Sequence, residues 1–225
     1  MNTRILLFIL ISVSLNICAQ KDSLELDDKY LEDQFYIDIT YNVLYNQPKN
    51  VKESDFSYGF SAGYIRDFPI IKNGKVAIGI GLGYGYDRFV HGLKVTKGES
   101  SNDFFEISEF VDNKINTHNL EVPLQLRFRS SDAKKYSFWR IYSGIKMSYN
   151  LANSFSHKIS ETLVKVNNIK SYRRFQIGAT LSAGYATFNF HIYYGLTPFL
   201  NSEAFVDKER INTRIIKFGI SFFVL

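Results

Sequence analysis

The chain ends in a segment that alternates without a break. Ile216, Phe218, Ile220, Phe222 and Val224 are apolar at every second position, with Lys217, Gly219, Ser221 and Phe223 between them. A strand puts successive side chains on opposite faces, so period two is a strand signature. The same texture recurs along the chain: Leu, Ile, Phe and Tyr on one face, glycine, small polar and charged residues on the other. That pattern fits strands with lipid on one side and a polar interior on the other. A soluble lipocalin-like barrel also alternates, but with an apolar interior and a polar exterior.

The start of the chain is consistent with export. Met1 to Arg4 is positively charged, Ile5 to Leu15 is apolar apart from Ser12 and Ser14, and Ala19 ends a polar cleavage region. Residues 1–19 read as a secretory signal peptide. The apolar run is about a dozen residues, short of the roughly twenty a helical span needs. Cys18 is the only cysteine. Leu15 suits a lipidation site, but Ile17 is bulky where a small residue is expected. Without Cys18 the mature chain has no thiol for a disulfide, a nucleophile or a thiolate metal site. Residues 20–34 form an acidic, polar periplasmic lead-in, and 35–225 a single domain. Tyr and Phe number 15 and 20, yet mean hydropathy is slightly negative. A barrel places such aromatics in girdles at its two membrane interfaces.

Eight strands are expected: 35–44, 58–68, 75–89, 117–129, 138–151, 174–185, 188–199 and the terminal segment. The connections after the first, third, fifth and seventh are long and the others short, as in bacterial outer-membrane barrels. The fold class is therefore all-β, an eight-stranded antiparallel up-and-down transmembrane β-barrel. Both termini fall on the short-turn side, the periplasmic side of an outer membrane. Parity sends Asp38, Glu121, Arg127, Arg129, Arg140 and Lys146 inward. Facing lipid, each basic residue would cost roughly 2–4 kcal/mol near the midplane. Eight strands leave an interior that side chains can fill. These six residues are expected to form a closed charge network with Glu121 as its main acid, bases outnumbering acids. The alternating glycines of the third strand make room for it. Pro123 lacks a ladder donor and predicts a bulge. Arg66 falls on the apolar face and is tolerable only at an interface, where Asp67 and Pro69 already end the strand. Phe138, Ile215 and Phe223 break the polar rule near strand ends and read as rim positions.

Leu120-Glu121-Val122-Pro123-Leu124-Gln125-Leu126-Arg127-Phe128-Arg129, followed by Trp139-Arg140-Ile141-Tyr142-Ser143-Gly144-Ile145-Lys146, resembles a stretch of the PorT-like, or porin-family, outer-membrane barrels of Bacteroidota. Ser57 to Tyr64 and Ile80 to Tyr84 are similar to the second and third strands of that group. Lys217, Gly219, Phe222 and Val224 resemble the C-terminal signal read by the barrel-assembly machinery, with Leu225 as a departure. The resemblance implies outer-membrane insertion and, more weakly, an accessory role in type IX secretion.

Gly79 to Gly85 is not a nucleotide loop, since its period is two and no helix follows. His91, His118, His157 and His191 lack metal-ligand spacing, and no Ser is paired with a His and a carboxylate. No enzyme activity, cofactor or metal is expected. The net charge of +5 is carried partly by Lys158, Lys165, Lys170, Arg173 and Arg174. This basic loop suits anionic headgroups or saccharides better than nucleic acid. The expected partners are outer-membrane lipid, lipopolysaccharide, the assembly machinery and, as the resemblance implies, secretion-system proteins. The expected role is structural or interactive, through the long loops; a narrow channel and a secretion accessory are the alternatives.

Overall fold

The computed structural model describes residues 33–49, 51, 56–71, 74–97, 103–107, 113–130, 139–159, 162–207 and 209–224. The leader, most of the lead-in and Phe138 lie outside the described residues. The strands, in chain order, are β1 (Gln34–Tyr45), β2 (Tyr58–Pro69), β3 (Val76–His91), β4 (Leu93–Lys97), β5 (Asp103–Ile107), β6 (Asn113–Arg129), β7 (Trp139–Ile159), β8 (Thr162–Asn167), β9 (Phe175–Tyr185), β10 (Phe188–Gly195), β11 (Phe205–Val206), β12 (Glu209–Arg210) and β13 (Arg214–Val224).

Eight of these close a barrel in the order β1-β2-β3-β6-β7-β9-β10-β13, each antiparallel to the next. β13 returns to pair with β1 from Phe35↔Val224 to Tyr45↔Arg214. Closure removes the sheet edges. The fold class expected from alternation is the one observed. The barrel has a short-turn end, where β1 begins and β13 stops, and a long-loop end.

The distribution of polarity is inverted relative to a soluble domain. Phe190 and Trp139 are 78% and 65% exposed, while the largest fully buried side chain is Arg127. Aromatics border the apolar outer wall at both heights. Phe35–Tyr64, Trp139–Tyr185 and Phe188–Phe222 pair at the short-turn end, with ring centroids 5.2, 5.7 and 5.2 Å apart. Tyr58, Tyr86 and His118 form part of the opposite ring, Tyr86–His118 at 5.2 Å. Trp139 and Tyr149 lie ten positions apart on β7. At the usual rise and tilt that is about 25 Å of height, the apolar thickness of an outer membrane. Arg66 is exposed near the short-turn ring, as an interfacial arginine should be.

Several strands outrun their expected limits. β3, β6 and β7 continue past the upper aromatic ring, and the connections read as loops contain the β4–β5 hairpin, β8 and the β11–β12 pair. They cover the long-loop end with an apolar core that includes Leu44, Phe89, Val95, Phe105, Phe155, Tyr172, Phe199 and Ile215. Pro123 does not cause a bulge. The β3–β6 register is constant across it, and only the pairs opposite Gly81 and Leu82 drop out. Pro123 still aligns with Lys146 on the other side. The missing donor is absorbed by a gap in one ladder. The register shift lies higher, where His118↔Ala152 is followed by Asn119↔Asn150, leaving Leu151 as the extra residue. The shift reverses the parity of β7, so Asn153, Phe155 and His157 turn inward above it.

Candidate functional site

The lumen is a stack of layers, each contributed by inward positions of several strands. At the short-turn end Asp67 of β2 meets two arginines of β6. Its Oδ2 accepts from Arg129 Nη1 at 2.6 Å, and its Oδ1 accepts from Arg127, which also donates to the Gln34 side-chain carbonyl. The Asp67, Arg127 and Arg129 side chains have no solvent exposure. Arg129 Nε donates to the Gly74 carbonyl at 2.6 Å. Gly74, at φ 67°, holds a conformation in the β2–β3 turn that suits glycine. Arg140 donates to the Ala186 carbonyl in the β9–β10 turn, also at 2.6 Å.

Above this lies an apolar layer of Tyr36, Ile65, Tyr142 and Phe223. The Arg127 guanidinium sits 4.0 Å from the Tyr142 ring centroid, which helps a buried cation keep its charge. The next layer centres on Lys146. Its Nζ is 3.1 Å from Asp38 and 3.0 Å from Glu121. Asp38 also accepts from Ser221. Gly83 and Gly85 leave the space: a Cβ at Gly83 would strike the Tyr36 hydroxyl, and one at Gly85 would strike Glu121. The uppermost charged layer is Asp87 with Lys217, whose Nζ donates to both carboxylate oxygens at 2.7 Å. Asn42 Nδ2 donates to the same carboxylate at 3.0 Å. Ile215 and Leu44 then pass into the apolar core of the long-loop end.

The six residues assigned to one lumen network thus fall in different layers. Arg127 and Arg129 share Asp67, Asp38 and Glu121 share Lys146, and Arg140 is held by a turn. Two acids were overlooked, Asp67 and Asp87. Asp67 was read as ending its strand, yet β2 runs to Pro69 and keeps its parity. Asp87 is the next inward position after Gly85. Counting in twos along either strand would have found both. Among the described residues the buried acids are Asp38, Asp67, Asp87 and Glu121, and the buried bases Arg127, Arg129, Arg140, Lys146 and Lys217. The expected surplus of bases shrinks to one charge.

The four residues of the C-terminal motif serve different sides of β13. Lys217 points inward to Asp87. Gly219 packs so closely on β1 that a Cβ would collide with the Ile39 carbonyl oxygen. Phe222 stacks edge-on against Phe188, and Val224 is exposed on the outer wall.

One chemical grouping was missed. Ser182 Oγ lies 2.8 Å from His191 Nδ1, and His191 Nε2 lies 4.0 Å from Asp38. The order resembles a nucleophile, a base and a carboxylate. The adjoining cavity measures about 10 Å³, room for no more than about one water. Asp38 is already engaged by Lys146 and Ser221. A substrate cannot be seated beside Ser182. Among the described residues no three His, Cys, Asp or Glu side chains converge as metal ligands.

The search of curated proteins gave no match. Two solved structures of Ail, the attachment invasion locus protein of Yersinia pestis, are similar to this chain. The one in complex with the heparin analogue sucrose octasulfate is 14% identical, covering 85% of this chain and 99% of Ail, with a TM-score of 0.36. The other is 11% identical, covering 84% and 97%, with a TM-score of 0.34. The profile of a family described as "outer membrane protein beta-barrel domain" matches residues 18–201. Taken with the closed eight-stranded barrel and its inverted polarity, that match places the chain in the outer membrane protein beta-barrel domain family.

Proposed function

We propose that this protein is a closed outer-membrane barrel that works through its folded long-loop end at the cell surface, without a pore and without catalysis. The observation that carries this reading is the filled interior. Paired charges follow one another from Asp67 to Asp87, the mid-lumen cavity beside Lys146 and Ser182 measures about 10 Å³, and an apolar core covers the long-loop mouth. The narrow-channel alternative requires a continuous wet path, which this packing disfavours. The resemblance around Leu120 to Lys146 supports a place among the PorT-like barrels of Bacteroidota. A secretion accessory role rests on that resemblance alone. In this reading residues 1–19 are removed on export, both ends of the mature chain are periplasmic, and the assembly machinery reads the β13 motif.

Orientation is tested by thiol labelling of intact cells. Glu203 is exposed at the long-loop end. With Cys18 removed in the leader, Glu203→Cys carries the only thiol. An impermeant maleimide is expected to label it without permeabilisation. Labelling only after the outer membrane is opened would reverse the orientation and remove the surface role.

A further inference from the structure

Just above the upper aromatic ring the outer wall changes character. The outward positions past Tyr86 and His118 are Arg88 on β3 and Asn116 and Lys114 on β6. Register places Arg88 opposite Asn116 and Asn116 opposite Ser154 of β7. Lys114 lies opposite Ser156, and Ser156 opposite Lys165 of β8. Directly opposed residues of an antiparallel ladder share a face. Thr117, Phe155 and His157 are buried on the inner face, so their neighbours Asn116, Ser154 and Ser156 face out. At the usual strand spacing, Lys114 and Lys165 are about 10 Å apart, with Arg88 diagonal to Lys114.

The row is tied to the ring beneath it. Tyr86 donates to Asn116 Oδ1 at 3.1 Å, and the Arg88 guanidinium lies 5.9 Å from the Tyr58 ring centroid. Arg88 lies two residues past the interfacial ring, about 5 Å of height, and Lys114, level with Lys165, lies four past it, about 10 Å, the depth of a phosphorylated saccharide headgroup. Among the described residues the ion pairs use other cations, and none engages Arg88, Lys114 or Lys165. The buried cations of the barrel are matched inside it; these three stand on the outer wall, facing the lipid boundary.

We infer that Arg88, Lys114 and Lys165, with the Ser154 and Ser156 hydroxyls between them, form a site on the outer wall for the phosphate of lipid A. The inference rests on the long-loop end facing outward, because lipid A occupies the outer leaflet. A phosphate offers several acceptor oxygens to charge-assisted donors from three strands. The aromatic ring below meets the upper acyl segments. Binding would fix how this arc of the barrel sits among its lipids.

The test uses the full mature barrel in phosphatidylcholine nanodiscs doped with diphosphorylated lipid A, with retained lipid read by native mass spectrometry. Nanodiscs offer both leaflets, so the result does not depend on cellular orientation, which the Glu203→Cys labelling decides separately. The Arg88→Gln/Lys114→Gln/Lys165→Gln variant is expected to lose about fivefold in retention per charge removed. Lys165→Gln alone lies on the short strand β8 outside the barrel wall and isolates one such step if the triple variant folds poorly. Arg66→Gln, at the other end, is expected to retain lipid A like the parent. Dephosphorylated lipid A is expected to bind parent and triple variant alike. Equal retention of lipid A by the parent, the triple variant and Lys165→Gln would overturn the site. So would equally good binding of dephosphorylated lipid A by the parent, or displacement of lipid A by equimolar phosphatidylglycerol.

Discussion

Asp67 holds two arginines where none of the three side chains is exposed to solvent. Replacing it with Asn leaves Arg127 and Arg129 without their shared carboxylate, and breaking a buried pair costs about 3–5 kcal/mol. Asp67→Asn is therefore expected to lower the urea midpoint of the detergent-solubilised barrel substantially. Glu106→Gln, which opens the exposed 3.5 Å bridge to Lys94, should shift it by no more than about 1 kcal/mol. Glu121 is less critical than its place in the sequence suggested. Lys146 keeps Asp38 when Glu121 is neutralised, so Glu121→Gln is expected to cost about 1–3 kcal/mol, the loss of one of the two carboxylates that face Lys146. If Glu121→Gln proved costlier than Asp67→Asn in the same titration, the layered description of the lumen would be wrong. Glycine matters where backbones nearly touch. A Cβ at Gly144 would collide with the Leu124 carbonyl oxygen and approach Gln125 Cα at 2.8 Å. Gly144→Ala should cost about 1–3 kcal/mol because neither neighbour is a movable side-chain tip. At this scale the sequence was legible wherever parity was followed to the strand end. Asp67 was lost to the rule that Asp and Pro stop strands, though here Pro69 caps the last position of an inward-outward run.

Strands are the scale at which the sequence reads best. All eight barrel strands were recognisable from alternation, because lipid on one face and charge on the other force a strict period of two. The parts above the membrane were not. β4, β5, β8, β11 and β12 are short, and a local core covers them, so their pattern lacks the long apolar face that marks a span. The reversal at Leu151 hides the upper half of β7 for the same reason. β7 also provides a depth test. Ile145 lies between Trp139 and Tyr149 on the outward face. Ile145→Arg is expected to impair insertion by about 2–4 kcal/mol, but Trp139→Arg or Tyr149→Arg by only about 0–1. Reversible folding into lipid vesicles measures each. Equal penalties at the three heights would contradict a span bounded by those rings. The covering core carries a pH response. His91 lies five positions past Tyr86, above the span. Leu93 N–H donates to its Nδ1 at 3.0 Å, placing the proton on Nε2. Burial pulls the imidazole down to about 3. The folded value is below the unfolded one of about 6.5. His91 therefore supports the core above pH ~6.5, and that support falls as pH drops toward 3. Hydrogen exchange in β4 and β5 should speed up between pH 6.5 and 4.5 relative to a His91→Gln variant, whose ratio should stay flat.

As a whole the molecule is a wall of lipid-facing side chains around a packed ionic interior, covered at the long-loop end by a soluble-like core. Its class was legible in the sequence because membrane barrels reverse the inside-out rule, and reversal shows in every strand. How the lumen is partitioned was not legible. Alternation tells which residues face inward, but the pairings depend on strand stagger: Asp67 reaches Arg127 across sixty positions and Lys217 reaches Asp87 across one hundred and thirty. The covering core was equally hidden, since it draws Leu44, Phe155, Phe199 and Ile215 from four separate connections and strand ends. These two features together are what the proposed closed lumen rests on. Single-channel recording of the purified parent in planar bilayers tests that most directly. Silence is expected across ±100 mV, roughly 2.3 kcal/mol per elementary charge, with Asp67→Asn or loss of the long-loop core needed before current appears. Steady, reproducible conductance steps from the unaltered protein would contradict a filled lumen.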